Sequence, residues 1–172
     1  MKRPDIERFR KRIKERYQPP ERGLLLLLPC SASKPYFQSR SHSIFRNALR
    51  GTKWTDIHEV MLTSPVGAVP REIEQFYPAK QYDIPVTHEW FEEEKDMIIR
   101  QLNYIISKKD YNTIISHLPK DMSFVPDNIN CIDTTQGKHP TDSDALERLT
   151  RTVRNKVGSD KGDVQEFLKE NI

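Results

Sequence analysis

Between Pro29 and His42 the chain places a thiol, four serines, two cations, a phenol and an imidazole within fourteen residues, Pro-Cys-Ser-Ala-Ser-Lys-Pro-Tyr-Phe-Gln-Ser-Arg-Ser-His. These residue types suit covalent chemistry. A thiolate, rather than a thiol, is the nucleophile, and a neighbouring cation lowers the pKa that controls its formation. Lys34 or His42 could act on Cys30 in this way, and His42 could move protons. Ser31, Ser33, Tyr36, Ser39 and Ser41 are candidate substrate contacts. Two plainer readings stand beside these: Cys30 as a small buried core residue, and His42 as a surface or helix-capping residue. The segment has neither the glycines of a GxGxxG turn nor a GxxxxGK[ST] loop, so no nucleotide cofactor is expected.

A second dense stretch runs from Thr63 to Thr87 and holds Ser64, Arg71, Glu72, Tyr82 and Asp83 among four prolines between residues 65 and 85. Prolines stiffen such a loop and Gly67 permits a tight turn. Arg71 could hold a phosphate or carboxylate, and Asp83 could accept hydrogen bonds from a heterocycle. Alternatively, an Arg–Asp or Arg–Glu pair simply fastens the loop. The remaining histidines, His58, His88, His117 and His139, show no metal-ligand spacing, and no metal is expected. Cys131 reads as core.

These residues need a scaffold, and hydrophobic periodicity supplies one. Ile6, Phe9, Ile13 and Tyr17 trace one stripe of a helix over Pro4–Gln18, ended by Pro19 and Pro20. Leu24–Leu28 is a continuous apolar run between Gly23 and Pro29, as expected of a strand buried on both faces in a parallel sheet. Further strands are expected at Ile57–Leu62, Asn112–Leu118 and Ile129–Asp133. Helices are expected at Ser43–Arg50, Glu89–Lys108, Thr141–Val157 and about Asp160–Glu170, with one short helix near Arg71–Phe76 inside a long loop. Alternating strands and helices predict a three-layer α/β/α fold around a mainly parallel sheet of about four strands. The whole chain, 1–172, is expected to be a single domain: a basic helix in 1–22, a core in 23–135 and helices in 136–172.

Composition bounds the class of protein. The 172 residues are 31% charged and 35% hydrophobic, with a net charge of +3. The longest apolar run is far short of the ~20 residues that span a membrane, and no secretory signal follows the basic start. Two cysteines make a disulfide framework improbable, so a reduced, cytoplasmic setting is the expectation. Charge is uneven: residues 1–22 carry a net +5, leaving −2 for the rest. A near-neutral body with one basic helix suggests contact with a polyanion such as RNA, through Arg8, Lys11 and Lys14; the alternative is a solvated helix face.

The two dense stretches together resemble the catalytic core domain of the archaeosine synthase family. The pattern PCSxxKPYxxSxSH is met at Pro29, Cys30, Ser31, Lys34, Pro35, Tyr36, Ser39, Ser41 and His42. The pattern TSPxGxVPRExExxYPAxxYDIPVT is met from Thr63 to Thr87, and His88 stands where the family has glycine. The resemblance covers roughly residues 20–135. Longer members are similar to a tRNA-guanine transglycosylase at one end and carry an RNA-binding PUA domain at the other. The resemblance therefore implies a short stand-alone form or a paralogue, with those parts on separate subunits. It also implies a fold similar to the uracil-DNA glycosylases.

The implied reaction adds the amine of free lysine to the nitrile of 7-cyano-7-deazaguanine in tRNA. The product is an amidine adduct, which a radical-SAM partner then cleaves to archaeosine. Set against that reaction, the chemistry of the residues suggests Cys30 as a nucleophile toward the nitrile, a step that the resemblance itself does not carry, with Lys34 and His42 in proton handling and binding and Asp83 on the guanine-like edge. Two other readings remain: a non-catalytic RNA-binding or scaffolding subunit, and a glycosylase-like enzyme acting on a nucleobase. The first stretch holds no carboxylate or asparagine to activate water, which argues against the last.

Overall fold

The computed structural model describes residues 3–81, 91–122, 125 and 129–159. Five strands form one sheet: β1 Leu24–Pro29, β2 Ile57–Thr63, β3 Gly67–Pro70, β4 Thr113–Ser116 and β5 Ile132–Asp133. Their order is β3-β2-β1-β4-β5. The pairs β1–β2, β1–β4 and β4–β5 are parallel and β2–β3 is antiparallel.

Polyleucine β1 is the centre because both its faces must be covered. Leu24, Leu26 and Leu28 point into one core with Phe45, Leu49, Leu149 and Val153. Leu25 and Leu27 point into the other with Ile98, Leu102 and Ile105. Helices α2 (Arg40–Ala48) and α4 (Ser143–Val157) therefore cover one face and α3 (Glu92–Ser107) the other. The buried positions of α3 and α4 recur at spacings of three and four, and Gly158, at φ 83°, ends α4.

Helix α1 (Pro4–Arg16) buries Ile6, Phe9 and Ile13. Two pins fix its course. Arg10 donates to the carbonyls of Pro65 and Val66 in the β2–β3 turn, and Tyr17 reaches His58 near the start of β2. The basic helix is thus packed against the body through its apolar stripe, with Arg8, Lys11 and Lys14 left in solvent.

Three expectations change. The sheet has five strands, because part of the proline-rich loop folds back as β3. This edge strand ends in Pro70, a position where a missing N–H costs no ladder bond. Gly67 is required at that turn: it sits at φ 110°, and a Cβ there would lie 1.7 Å from Gln101 Oε1. Instead of a short helix at Arg71–Phe76 there is one 3-10 turn, Arg71–Ile73. Helix α2 begins three residues early, at Arg40, because Ser39 caps it. The expected helix at 160–170 lies outside the described residues, as do Tyr82, Asp83 and His88. Among the described residues no helix is long and apolar enough to cross a membrane.

Candidate active site at the carboxyl edge of the sheet

From β1 the chain crosses over to β2 on one side, and it later returns as β4 on the other. In open α/β sheets the crevice beyond the carboxyl ends of the strands at such a switch is where ligands bind. Cys30 is the first residue beyond β1, Thr63 ends β2, Ser116 ends β4 and His117 is the first residue beyond it. Ordinary strand geometry thus gathers four chemically distinct side chains at one edge.

Cys30 is half-buried. Burial pushes its thiol above the ordinary value, opposed by a hydrogen bond with Thr63 and by the nearby Lys34 ammonium. Asp121, in the turn after β4, pushes it further up. The resting form near neutral pH is the thiol, hydrogen-bonded with a hydroxyl and under the influence of a nearby cation. Beside it, Tyr36 is fully buried and donates to Thr63 Oγ1 at 3.1 Å. The phenol thereby orients the threonine that contacts the thiol.

His42 is fully buried, and both ring nitrogens are engaged. Nε2 lies 2.9 Å from the Pro29 carbonyl and Nδ1 lies 2.8 Å from Arg71 Nη2. A carbonyl needs a donor and a guanidinium needs an acceptor, so the ring is neutral with its proton on Nε2. Burial, then the Arg71 charge, lowers its pKa to about 3. This placement differs from the expected proton-moving role, since neither nitrogen is open to a substrate. Arg71 is committed in turn. Its Nε donates to Glu59, and its Nη1 donates to Glu74 Oε1 at 3.2 Å. Buried Glu74 also accepts from the Phe37 amide at 3.3 Å. Pro29, His42, Arg71, Glu74 and Phe37 form one continuous bracket that ties the first dense stretch to the second. The loop-fastening reading of Arg71 is the one its contacts describe, although its partners are glutamates and a histidine.

The other expected contacts divide. Ser31 and Lys34 are half-buried beside Cys30 in the chain, and Ser33 is exposed. Ser39 caps α2, its Oγ accepting from the His42 amide at 3.2 Å, and it lies 3.4 Å from Ser41 Oγ. Ser64 donates to Glu94 Oε1 at 2.5 Å, tying the β2–β3 turn to α3. Glu72 is not gathered with Cys30. It accepts from Tyr17 and lies 3.2 Å from His58 Nε2, and His58 Nδ1 is 2.6 Å from the Tyr111 hydroxyl. That cluster lies toward the amino-terminal end of β2. Cys131 is half-exposed just before β5 rather than core.

His117, which has no metal-ligand spacing in the sequence, is fully buried beyond β4. Its Nδ1 is 2.8 Å from Thr134 Oγ1 and its Nε2 is 2.7 Å from the Pro140 carbonyl. Arg148 of α4 donates to the carbonyls of Thr134 and Thr135, 2.9 Å each, holding the loop after β5. Rings of Tyr36, His42, Phe45 and His117 follow one another at 5.3–5.8 Å behind the carboxyl edge. Only the strand order brings His117 against Phe45, 72 positions earlier in the chain.

The Ser39 cap gives a direct test. Ser39→Ala removes the acceptor for the His42 amide and is expected to cost about 1 kcal/mol of stability. A urea melt checks this, and an unchanged midpoint would contradict the capping role.

A mostly parallel sheet whose central strand delivers a cysteine to the ligand edge defines an α/β domain with a candidate nucleophile at its switch point. Residues 6–153 match the family described as a domain of unknown function, DUF5591, and the chain belongs to that family. It is 37% identical, over 98% of its length, to 32% of the archaeosine synthase subunit alpha of Thermoplasma acidophilum. It is 38% identical, over 88% of its length, to 26% of the archaeosine synthase of Haloferax volcanii. The archaeosine synthase subunit alpha of Methanosarcina acetivorans is 48% identical over 69% of this chain and 19% of its own length. The chain spans about a third or less of these curated relatives. Among solved structures, the crystal structure of AF0587, a protein of unknown function, is similar with a TM-score of 0.66 and 27% identity. That likeness covers 88% of this chain and 50% of the other.

Proposed function

We propose that this domain acts in archaeosine formation, joining lysine to the nitrile of 7-cyano-7-deazaguanine in tRNA. The observation that carries the reading is Cys30, the first residue beyond β1 at the sheet's switch point, hydrogen-bonded with Thr63 and near the Lys34 charge, in a chain similar to archaeosine synthases. The Cys30 S–H adds across the C≡N bond: sulfur bonds to carbon, and the proton ends on nitrogen, giving a thioimidate. The lysine amine then attacks that carbon and expels the thiol, leaving an amidine. Atoms balance without cofactor or oxidant, and one difficult addition becomes two easier ones. Sulfur attacks as the thiolate, and the proton that the thiol sheds is the one that the nitrile nitrogen gains.

Lys34 is assigned to polarising the thiol and the nitrile nitrogen, and His42 and Arg71 to holding the Pro29–Phe37 loop in place. Ser31 and Ser33 remain candidate contacts for the substrate. Tyr82 and Asp83 are retained as candidate contacts for the base on the sequence pattern alone. tRNA, free lysine, a radical-SAM enzyme and subunits with transglycosylase-like or PUA domains are the proposed partners. The cytoplasm is the proposed location, and similarity in fold to the uracil-DNA glycosylases belongs to the same proposal.

The test is incubation with lysine and tRNA bearing the cyano base, followed by mass spectrometry of the nucleosides. The expected product is heavier than the cyano nucleoside by one intact lysine. No adduct from folded protein, alone or with its partner subunits, would overturn the reading.

A further inference from the structure

We propose that the groove between α1 and the Ile73–Tyr77 turn seats an unpaired stretch of RNA, its bases stacked on Phe76 and Tyr77 and its phosphates held by Arg12 and Arg16. This rests on the reading of the substrate as RNA, and goes beyond it by naming the surface. The groove encloses about 550 Å³, with Phe9, Ile13 and Ile73 as its apolar floor. That volume lies within the usual range of a small-molecule site, enough for a nucleotide or two.

Two large aromatic rings stand in solvent at its wall: Phe76 is 63% exposed and Tyr77 59%. Exposed rings are costly to leave uncovered, and flat ones suit a base, because every base offers a π-face. Tyr77 is also held in position. Its hydroxyl donates to Asp5 Oδ2 at 2.7 Å, and Asp5 is gripped by Arg3 Nη2 at 2.9 Å. A fixed ring loses little freedom when a base stacks on it.

Charge selects the occupant. Arg12 and Arg16 lie one helical turn apart on the groove and face solvent, and among the described residues neither is spent on an ion pair. They belong to the net +5 segment of residues 1–22, against −2 for the remainder. An apolar partner helix would gain from the floor but would leave two guanidinium groups facing it. A single strand uses floor, rings and cations together, whereas a duplex keeps its bases stacked inside and cannot. The expected RNA-binding residues thereby extend from the outer face of α1, at Arg8, Lys11 and Lys14, to its groove face.

The test uses a fluorescein-labelled single-stranded RNA of about twelve nucleotides, read by anisotropy without lysine or modified base. Failure of lysine transfer therefore leaves it untouched, and its failure leaves the lysine assay standing. Phe76→Leu is expected to bind roughly 5- to 50-fold more weakly with an unchanged melting temperature, and Phe76→Trp at least as tightly as the parent. Replacing Arg12 and Arg16 by Gln should reduce the salt dependence by roughly 0.7 per charge removed. A duplex of the same sequence should bind more weakly and ignore Phe76→Leu. Unchanged affinity in Phe76→Leu, or poly-glutamate competing as well as the RNA, would overturn the proposal.

Discussion

Cys30→Ser is expected to keep its fold and to lose lysine addition by several orders of magnitude. Serine is nearly isosteric and the position is only half-buried, so its hydroxyl finds Thr63 or solvent, and the stability change should stay within about 1 kcal/mol. The chemical step fares differently, because a serine hydroxyl is a far weaker nucleophile than sulfur near neutral pH. The parent enzyme should also quicken as pH rises above 7. Burial holds the thiol above its ordinary value, so its anion is scarce at neutrality and grows with alkalinity. Lys34→Met should lower activity and shift that rise to still higher pH, since it deletes a charge that favours the anion. The readout is single-turnover adduct formation by mass spectrometry across pH 6–9, beside melting curves. Full activity in Cys30→Ser would eliminate the thioimidate and leave direct attack of lysine on the nitrile.

The contrast between what the residues implied and what the fold does with them follows from range. Strand β1 was readable because five leucines in a row have only one economical location, the centre of a two-sided sheet. Helices α1, α3 and α4 announced themselves through apolar spacing, with ends shifted by one to three residues. Strand β3 was hidden because prolines usually forbid a strand, and only its edge position and antiparallel hairpin permit one. At the site, Cys30 was legible as a residue but its electrostatics were not. Lys34 is four positions away, whereas Thr63 and Asp121 arrive through the sheet and the turn after β4. Three candidate residues owe their placement to a shared cause. His42, Arg71 and Glu72 looked reactive by type, yet each is spent on partners that the strand order delivers: Pro29, Glu59 with Glu74, and Tyr17 with His58. His117 looked idle for the complementary reason, its partners Thr134 and Pro140 lying beyond another strand.

Stability should fall steeply on acidification from pH 6.5 to about 4, and two buried histidines should account for the upper part of that fall. Burial lowers the pKa of His42 to about 3, helped by Arg71, and that of His117 to about 4. In the unfolded chain both return to about 6.5. Below pH 6.5 the unfolded state therefore binds protons that the folded state refuses, so stability drops as pH falls toward the folded values. Each site contributes up to ~1.4 kcal/mol per pH unit, so together roughly 2–3 kcal/mol should be lost between pH 5.5 and 4.5. Carboxylates such as Asp5, lowered to about 2 first by its bond from Tyr77, add their share only nearer pH 4 and below. The window from pH 6.5 to 5 thus isolates the imidazoles. His42→Gln and His117→Asn offer amides in place of the rings and never charge. Urea melts of the double variant should show a lower midpoint at pH 7 and a much flatter slope between pH 6.5 and 5. A slope equal to the parent's would mean that these rings are not held neutral. The same measurement bears on catalysis: an imidazole that stays neutral to about pH 3, with its only N–H donated to Pro29, has no proton to exchange near pH 7. The pH dependence of turnover is then expected from the Cys30 thiol and from the amine of the substrate lysine, and the upper part of the pH dependence of folding from the histidines behind them.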